Sequence, residues 1–290
     1  MSAPGPRLEN RLPAEGINAS TEHPLKEFAW LVGSALVALA LLMLSIGWAA
    51  RWIAPRVPFA AEVALAARFP ALAPPPPESP RARAAQAELQ ARVDRLREPL
   101  GVPSDMTLTV HYRDADLVNA YATLGGHLHV YRGLLQALRS EEALDALLAH
   151  EIAHVLHRDV AASLGRGLAV GVLLSTLSAD AGAAAARAAL GQTANVALLG
   201  YSREQETRAD EAALDAAIAR HGHAAGALAL FEDLQAAQTQ RGPALEILRS
   251  HPLTPDRLTH LKSRAQSRGA ATVGTLRPLP AALQGLKPEA

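Results

Sequence analysis

The chain has 290 residues, of which 49% are hydrophobic and 19% charged, so it is too apolar to be disordered and long enough for one principal domain. Its 28 basic and 28 acidic side chains cancel, which gives no overall attraction to nucleic acid, and we expect no nucleic-acid partner. It has no cysteine, so disulfides and thiol chemistry are excluded, and any metal must bind histidine or carboxylate side chains.

A long apolar segment near the N-terminus predicts a membrane anchor. Residues 28–50 (FAWLVGSALVALALLMLSIGWAA) carry no charge, and a helix of that length, at about 1.5 Å per residue, spans a hydrocarbon core of about 30 Å. We predict a transmembrane helix over residues 28–52, after an N-terminal leader at 1–27. A cleaved signal peptide and a buried core helix are the alternatives. Basic residues flank both ends almost equally, so they give no orientation.

A proline-rich linker is predicted over residues 53–80. The run Pro74 to Pro77 favours a stiff, extended spacer between the anchor and the rest of the chain. Ser79 and Pro80 are typical of the cap and first turn of a helix, which we predict over residues 81–97.

The remaining sequence predicts a mostly helical α+β fold with a small sheet. Alternating polar and apolar residues indicate two short strands, at 107–112 and 127–131. Ser140 is a typical cap for a helix that begins at Glu141. Further helices are predicted over residues 203–220, 224–238 and 255–266. The segment 160–200 is rich in Ala, Leu and Gly, and is interpreted as a core or lid hairpin, with membrane contact as the alternative.

The helix that begins near Glu141 contains the sequence HEIAH, with His150, Glu151 and His154. Histidines four residues apart lie on one helix face, so both imidazoles reach one zinc ion, while the glutamate can bind a water molecule beside it. The alternative is a surface helix with ordinary polar residues. Most other side chains of this helix are apolar, which predicts burial, and buried histidines and carboxylates need partners such as a metal.

A catalytic zinc site needs a third protein ligand. The long metzincin pattern is excluded, because His157 and Val160 stand where it requires glycine and a third histidine. Glu206 and Asp210 lie one turn apart on a later helix, so the first can bind the metal while the second accepts a hydrogen bond from a ligand histidine. Two neighbouring glutamates point elsewhere and are expected to be solvated: Glu204 and Glu211.

Four motifs in order resemble those of the HtpX-like gluzincin metallopeptidases, which include the CAAX prenyl proteases and the mitochondrial Oma-type protease. They are NAYATLGGHLHVYRGLL, HEIAH, SREQETRAD and SHPLTPDRLTHL. The resemblance covers residues 81–267 and implies a zincin-like zinc metallopeptidase domain there. Residues 268–290, with Pro278, Pro280 and Pro288, are predicted to form a tail. Thr123 and Leu124 stand where the family usually has Leu-Pro.

By this resemblance, one Zn²⁺ per subunit is held by His150, His154 and Glu206, Glu151 is the catalytic acid and base, and Asp210 supports a ligand. His251 matches a family residue near the metal, which stabilises the oxyanion or occupies the open metal position as a latch. Its alternative is an ordinary loop histidine. Arg257 matches an arginine that holds His251 or a substrate carbonyl, and a solvated surface arginine is the alternative.

The strand from Gly126 to Tyr131 is a candidate substrate-binding edge. An extended peptide can add to such an edge through backbone hydrogen bonds. Asn119, Gly125 and Gly126 would shape this edge and are the predicted substrate-binding residues. His127 and His129 are interpreted as ordinary strand residues.

The sequence therefore predicts a membrane-anchored zinc metalloendopeptidase acting on unfolded or membrane-associated proteins. Its expected partners are protein or peptide substrates and the lipid bilayer. A non-catalytic membrane chaperone or adaptor and a zinc hydrolase of a non-peptide substrate are the alternative functions. We expect a single-pass protein of the bacterial inner-membrane type, and the resemblance to the Oma-type arrangement favours a catalytic domain on the periplasmic side.

Overall fold

The computed structural model describes residues 24–167, 180, 200–242 and 245–288. Helix α1 covers Pro24–Ile53, and the chain divides into two units at Ser45. The most apolar 18-residue window of the stretch Pro24–Arg56 has a mean hydropathy of 2.3, and none of that window is buried. Among the described residues it is the one helix long and apolar enough to cross a membrane, in agreement with the predicted anchor.

The segment between the anchor and the predicted domain contains a helix that the sequence analysis did not predict. Helix α2 covers Phe59–Ala66, and Leu72, further along the expected linker, is fully buried in the core. Helix α3 covers Pro80–Leu96, and the hydroxyl of Ser79 accepts a hydrogen bond from the amide of Ala82 at 3.0 Å. The predicted cap and first-turn proline are thereby confirmed.

A three-stranded sheet lies next in the chain, with β1 at Thr109–Arg113, β2 at Ala120–Thr123 and β3 at His127–Tyr131. The strand order is β1-β3-β2, with β1 parallel and β2 antiparallel to β3. Because β3 is the central strand, both of its edges are already paired. The hypothesis that a substrate adds along residues 126–131 is therefore wrong. The two edge strands are β1, which packs on α3, and β2, which packs on α5.

Helix α5 is the central element of the fold. It covers Glu141–Leu156, and Ser140 caps it by accepting a hydrogen bond from Ala143 at 3.2 Å. Leu144, Leu148 and Ile152 are fully buried, so the predicted burial of this helix on nearly all sides is confirmed. Further helices among the described residues of the domain include α4 at Arg132–Ala137, α6 at Arg203–His221, α7 at Ala225–Arg241, α8 at Ile247–Ser250 and α9 at Pro255–Ser267.

Residues 268–288, within the expected tail, pack against the domain. Leu279, Leu283 and Leu286 belong to the hydrophobic core. The backbone amide of Arg277 donates to the buried carboxylate of Glu142 at 2.9 Å, which ties this segment to the start of α5. Residues 159–167 are helical, whereas the rest of the predicted hairpin at 160–200 lies almost entirely outside the described residues.

Candidate metal centre

The HEIAH segment of helix α5 carries three buried polar side chains. His150 is 5% exposed, Glu151 1% and His154 not at all. The spacing of four residues places both imidazoles on one face, and their Nε2 atoms lie 3.1 Å apart. Charged and polar groups this deeply buried need compensating partners, which come from other elements.

Two further side chains converge on these histidines. Glu206 lies in the first turns of α6, and His251 directly follows α8. One ligand atom from each of four buried residues lies within 4.8 Å of all the others: His150, His154, Glu206 and His251. The fold therefore brings the three predicted metal ligands together with the predicted catalytic histidine.

The spacing of these atoms fits a small tetrahedral metal ion. Ligands about 2.0–2.1 Å from such an ion lie about 3.3 Å from one another. His154 Nε2 is 3.4 Å from Glu206 Oε1, and His251 Nδ1 is 3.2 Å from His150 Nε2 and 2.9 Å from Glu206 Oε1. His251 Nδ1 thus occupies the fourth corner of the ligand set.

A carboxylate orients each histidine on α5. His150 Nδ1 is 3.0 Å from Asp210 Oδ1, and His154 Nδ1 is 2.9 Å from Asp159 Oδ2. These contacts leave both Nε2 atoms facing the centre of the cluster, which is the usual arrangement behind ligand histidines. Asp210 was predicted for this position. Asp159, which also accepts a hydrogen bond from Gln205 at 2.7 Å, was missed.

The electrostatic environment keeps the carboxylates charged. Burial alone would raise the pKa of Glu206, but the charge of His251 and hydrogen bonds from His154 and His251 hold this pKa well below its usual range. Burial would also raise the pKa of Asp210, and hydrogen bonds from Arg257 and His150 lower it. Two anionic groups therefore face the cluster and favour a bound cation.

Arg257 lies beside the cluster, where its side chain is partly buried and only 11% exposed, so it is not a solvated surface residue. Its Nε and Nη2 donate to Asp210, each at 2.7 Å, and its Nη1 lies 2.9 Å from Glu206 Oε2. Nη1 also donates to the carbonyl of Pro252 at 2.9 Å. Arg257 therefore contacts the carboxylates and the loop after His251, while the side chain of His251 bonds to Glu206.

Glu151 lies between the metal cluster and the edge strand. Its Oε2 accepts a hydrogen bond from the backbone amide of Ala122 in β2 at 3.0 Å. Its Oε1 is buried, has no hydrogen-bond partner and is 3.5 Å from His251 Nε2. One oxygen is thus fixed by the edge strand, while the other faces the cluster.

The predicted substrate-binding residues lie at the two ends of β2. Asn119 is buried just before it, and its backbone carbonyl accepts from Tyr131 at 3.2 Å. Gly125 and Gly126 follow it in a tight turn with φ values of 75° and 78°, which suits residues without a Cβ.

Tyr201 is a site residue that the sequence analysis missed. Its ring stacks on that of His154 with centroids 3.8 Å apart, and its buried hydroxyl has no hydrogen-bond partner. A tyrosine directly before a helix cap carries no periodic signal that would identify it. The two glutamates that were expected to point away from the site lie outside the cluster: Glu204 is exposed, and Glu211 pairs with His260 at 2.7 Å.

Residues 83–265 match the model of peptidase family M48, and the chain therefore belongs to this family of peptidases. It is 31% identical over 160 residues to a putative beta-barrel assembly-enhancing protease of Vibrio cholerae, a match that covers 51% of this chain and 33% of that protein. It is 30% identical over 166 residues to the mitochondrial metalloendopeptidase OMA1 of Schizosaccharomyces pombe, a match that covers 55% of this chain and 47% of that protein. It is 33% identical over 135 residues to a protease HtpX homolog of Acidiphilium cryptum, a match that covers 45% of this chain and 41% of that protein.

These matches confirm the resemblance to HtpX-like and Oma-type proteases and the assignment to a family of peptidases, and the helices with the three-stranded sheet confirm the mostly helical α+β fold. The family and the buried cluster of histidines and a glutamate indicate a metal site. The apolar N-terminal helix and the HtpX and OMA1 relatives indicate membrane anchoring. The chain spans between a third and about half of the length of these relatives.

Proposed function

We propose that the chain is a membrane-anchored zinc metalloendopeptidase that hydrolyses peptide bonds in unfolded or membrane-associated proteins. The observation that carries this proposal is the convergence of four buried ligand atoms directly beside Glu151 and the edge strand. We assign the metallopeptidase domain to residues 81–267. The match to the family model, which covers residues 83–265, supports this assignment.

His150, His154 and Glu206 would hold the zinc ion, with Asp159 and Asp210 fixing the two imidazoles. Two nitrogens and one carboxylate oxygen are the donor set of gluzincin sites, and they suit a metal with tetrahedral preference. When bound, zinc lowers the pKa of a water molecule toward about 7 and polarises a carbonyl group.

Glu151 is the proposed general acid and base. Its Oε1 lacks a partner and faces the ligand cluster, which is the position required to accept a proton from the attacking water. The same oxygen can then deliver this proton to the leaving amine. The hydrogen bond from Ala122 to the other oxygen prevents the carboxylate from rotating away.

The edge strand β2 is the proposed site for the substrate backbone. The backbone carbonyl of Asn119 accepts a hydrogen bond from the amide of Tyr131 in β3. In an antiparallel pair, residues alternate between those that bond to the partner strand and those whose backbone groups point outward. The backbone N–H and C=O groups of Ala120 and Ala122 therefore point away from β3. The amide of Ala122 bonds to Glu151, which agrees with this alternation. An extended peptide paired along this edge would pass Glu151 without requiring particular side chains.

Both the edge and the metal position are closed in this arrangement. Ala120 and Ala122 are fully buried, and His251 Nδ1 occupies the fourth corner of the ligand set. We propose that His251 is a fourth ligand at rest and that substrate binding requires its movement. The released imidazole would then stand beside the scissile carbonyl, where it can stabilise the oxyanion.

The geometry is less favourable to a hydrolase of small non-peptide substrates. The cavity beside His150, Glu151 and His251 has a volume of only about 20 Å³, whereas sites for small ligands usually measure about 300–1,000 Å³. A non-catalytic chaperone or adaptor would not need the free oxygen of Glu151 beside the ligand cluster.

The test is a combined zinc and cleavage measurement on the purified full chain. We expect about one zinc ion per chain by elemental analysis and cleavage of denatured casein that stops on chelation and returns with added zinc. Zinc binding without cleavage of any unfolded protein would favour the adaptor. For topology, a reporter fused after Pro77 should report the periplasmic side, and a cytoplasmic signal would contradict that orientation.

A further inference from the structure

Arg158 has an unusual backbone conformation close to the metal centre. Its φ of 60° makes it the single residue other than glycine with a positive φ among the described residues. This left-handed conformation costs free energy for a residue with a long side chain, and it persists where surrounding contacts enforce it. Arg158 follows α5 and directly precedes Asp159, which holds the imidazole of His154.

The side chain of Arg158 forms a buried ion pair with α2. Its Nη1 lies 3.1 Å from Glu62 Oε2, and the two side chains are 8% and 7% exposed. Its Nη2 donates to the carbonyl of Val57 at 2.5 Å, and its guanidinium lies 5.4 Å from the ring centroid of Phe59. Removal of either charge would leave the other buried without its partner.

The same buried face of α2, which carries Glu62 and Ala66, also packs on the turn that closes β2. A Cβ atom added to Gly125 would lie only 2.9 Å from the Cβ of Ala66. The backbone of the turn at Gly125 is therefore in direct contact with α2, with no room for a side chain between them. Burial raises the pKa of Glu62, and the charge of Arg158 and a hydrogen bond from the backbone of Gly125 oppose this rise. Glu62 therefore contacts both the end of α5 and the turn after the edge strand.

We infer that Glu62 and Arg158 are positioning residues, which hold α2 between the end of α5 and the glycine turn and so set the distance between β2 and the metal centre. This inference rests on the proposed function, in which the substrate backbone pairs with β2. Neither side chain touches the reacting atoms. Their loss should therefore weaken contacts along the strand more than the chemistry at the metal.

The experiment compares a long and a short peptide that are cut at the same bond. The long peptide pairs along β2, whereas the short one reaches little beyond the metal. For Glu62→Gln in the full-length zinc-loaded protein, we expect kcat/KM to fall about tenfold on the long peptide, mainly through KM, and less than about twofold on the short one. Glu98→Gln, an exposed glutamate at the end of α3, is the matched control and should cut both peptides normally.

A second variant tests whether the two residues act through one contact. Arg158→Met should give the same length-dependent loss, and the double variant should lose no more than the greater single loss. Equal losses on both peptides, multiplied losses in the double variant, or loss of zinc or of folded structure in Glu62→Gln would each overturn the inference. If the wild-type protein cut neither peptide, the proposed function itself would fail.

Discussion

Two clusters of histidines among the described residues differ in the groups that contact their rings. The metal cluster consists of His150, His154 and His251, together with Glu206. The sheet cluster consists of His111, His127 and His129 on β1 and β3. In the metal cluster, carboxylates bind the outer ring nitrogens. In the sheet cluster the rings contact one another and Tyr121, and the described residues place no carboxylate against them.

This difference explains why only one cluster is suited to a metal. Carboxylates behind the imidazoles turn their Nε2 atoms inward and supply negative charge for a cation. In the sheet cluster, His111 Nε2 bonds to His127 Nδ1 at 3.0 Å, and both ring nitrogens of the buried His129 lack partners. The sheet cluster therefore lacks the acidic groups that orient the imidazoles and balance the charge of a cation in the metal cluster.

The largest effect should come from removing the proposed acid and base of the metal cluster. Glu151→Gln keeps the hydrogen bond to Ala122 possible but cannot accept a proton, so we expect kcat on denatured casein to fall by about three orders of magnitude with unchanged zinc content. Glu204→Gln, an exposed glutamate of α6, serves as the control. Substantial cleavage by Glu151→Gln would remove the assigned role.

The next effect concerns the carboxylate ligand, which the sheet cluster lacks. Glu206→Ala removes one of three protein ligands, and we expect zinc affinity to fall by more than about a hundredfold, with loss of activity. Glu204→Ala should bind zinc normally because its side chain is exposed and points elsewhere. Equal zinc contents of the two variants in competition with a chelator would place the third ligand elsewhere.

The orienting carboxylates should have a smaller effect. Asp159→Asn weakens the hydrogen bond that fixes His154, so we expect zinc affinity to fall about 10- to 100-fold. Asp256 is an exposed aspartate in the first turn of α9, and Asp256→Asn should leave the zinc affinity unchanged. Zinc titration monitored by a competing dye measures both variants. Unchanged affinity in Asp159→Asn would mean that carboxylates do not distinguish the two clusters.

His251 belongs to the metal cluster but is the proposed mobile member. If it is a fourth ligand at rest, His251→Ala should retain zinc, because three protein ligands remain, and should change activity by a smaller factor than Glu151→Gln. A rise in kcat/KM on casein would support the latch, and a fall in kcat would favour the oxyanion role. Loss of zinc comparable to that of Glu206→Ala would make His251 an obligatory ligand.

The parts of this site that follow helical periodicity could be predicted from the sequence. His150 and His154 are four residues apart in an apolar helix, and Glu206 and Asp210 repeat that spacing on another helix. Asp159 could not be found in this way, because it reaches His154 only through the left-handed turn at Arg158.

The edge strand was missed for a related reason. Ala120 to Thr123 are all buried, so they show no alternation of polar and apolar residues, and the order of strands depends on contacts distant in the chain. Helix α2 was likewise hidden in a proline-rich segment, although Glu62 ties it to the domain. Sequence periodicity located the proposed metal ligands, while the proposed substrate edge required the tertiary structure.

The smallest effect tests the sheet cluster, through stability at acid pH. Burial and the charge of His127 lower the pKa of His111 to about 4, and burial and the charge of His111 lower that of His129 to about 3. Both pKa values lie below about 6.5, the value expected for histidine in the unfolded chain. Between the folded and unfolded pKa values, these histidines bind more protons in the unfolded state than in the folded state. The free energy of unfolding should therefore fall as the pH decreases from about 6.5 toward 4.

His129→Phe removes one of these titrating groups and retains a ring between Tyr121 and His111, whose centroids lie 4.8 and 5.0 Å away. Urea unfolding near neutral pH and near pH 5 should show an acid-induced loss smaller than that of the wild-type protein by on the order of 1–2 kcal/mol. The metal cluster is the same in the wild-type protein and in His129→Phe, so its contribution to the acid-induced loss of stability cancels in the comparison. An equal acid-induced loss would mean that the sheet histidines are protonated in the folded state, and that burial without carboxylates does not keep them neutral.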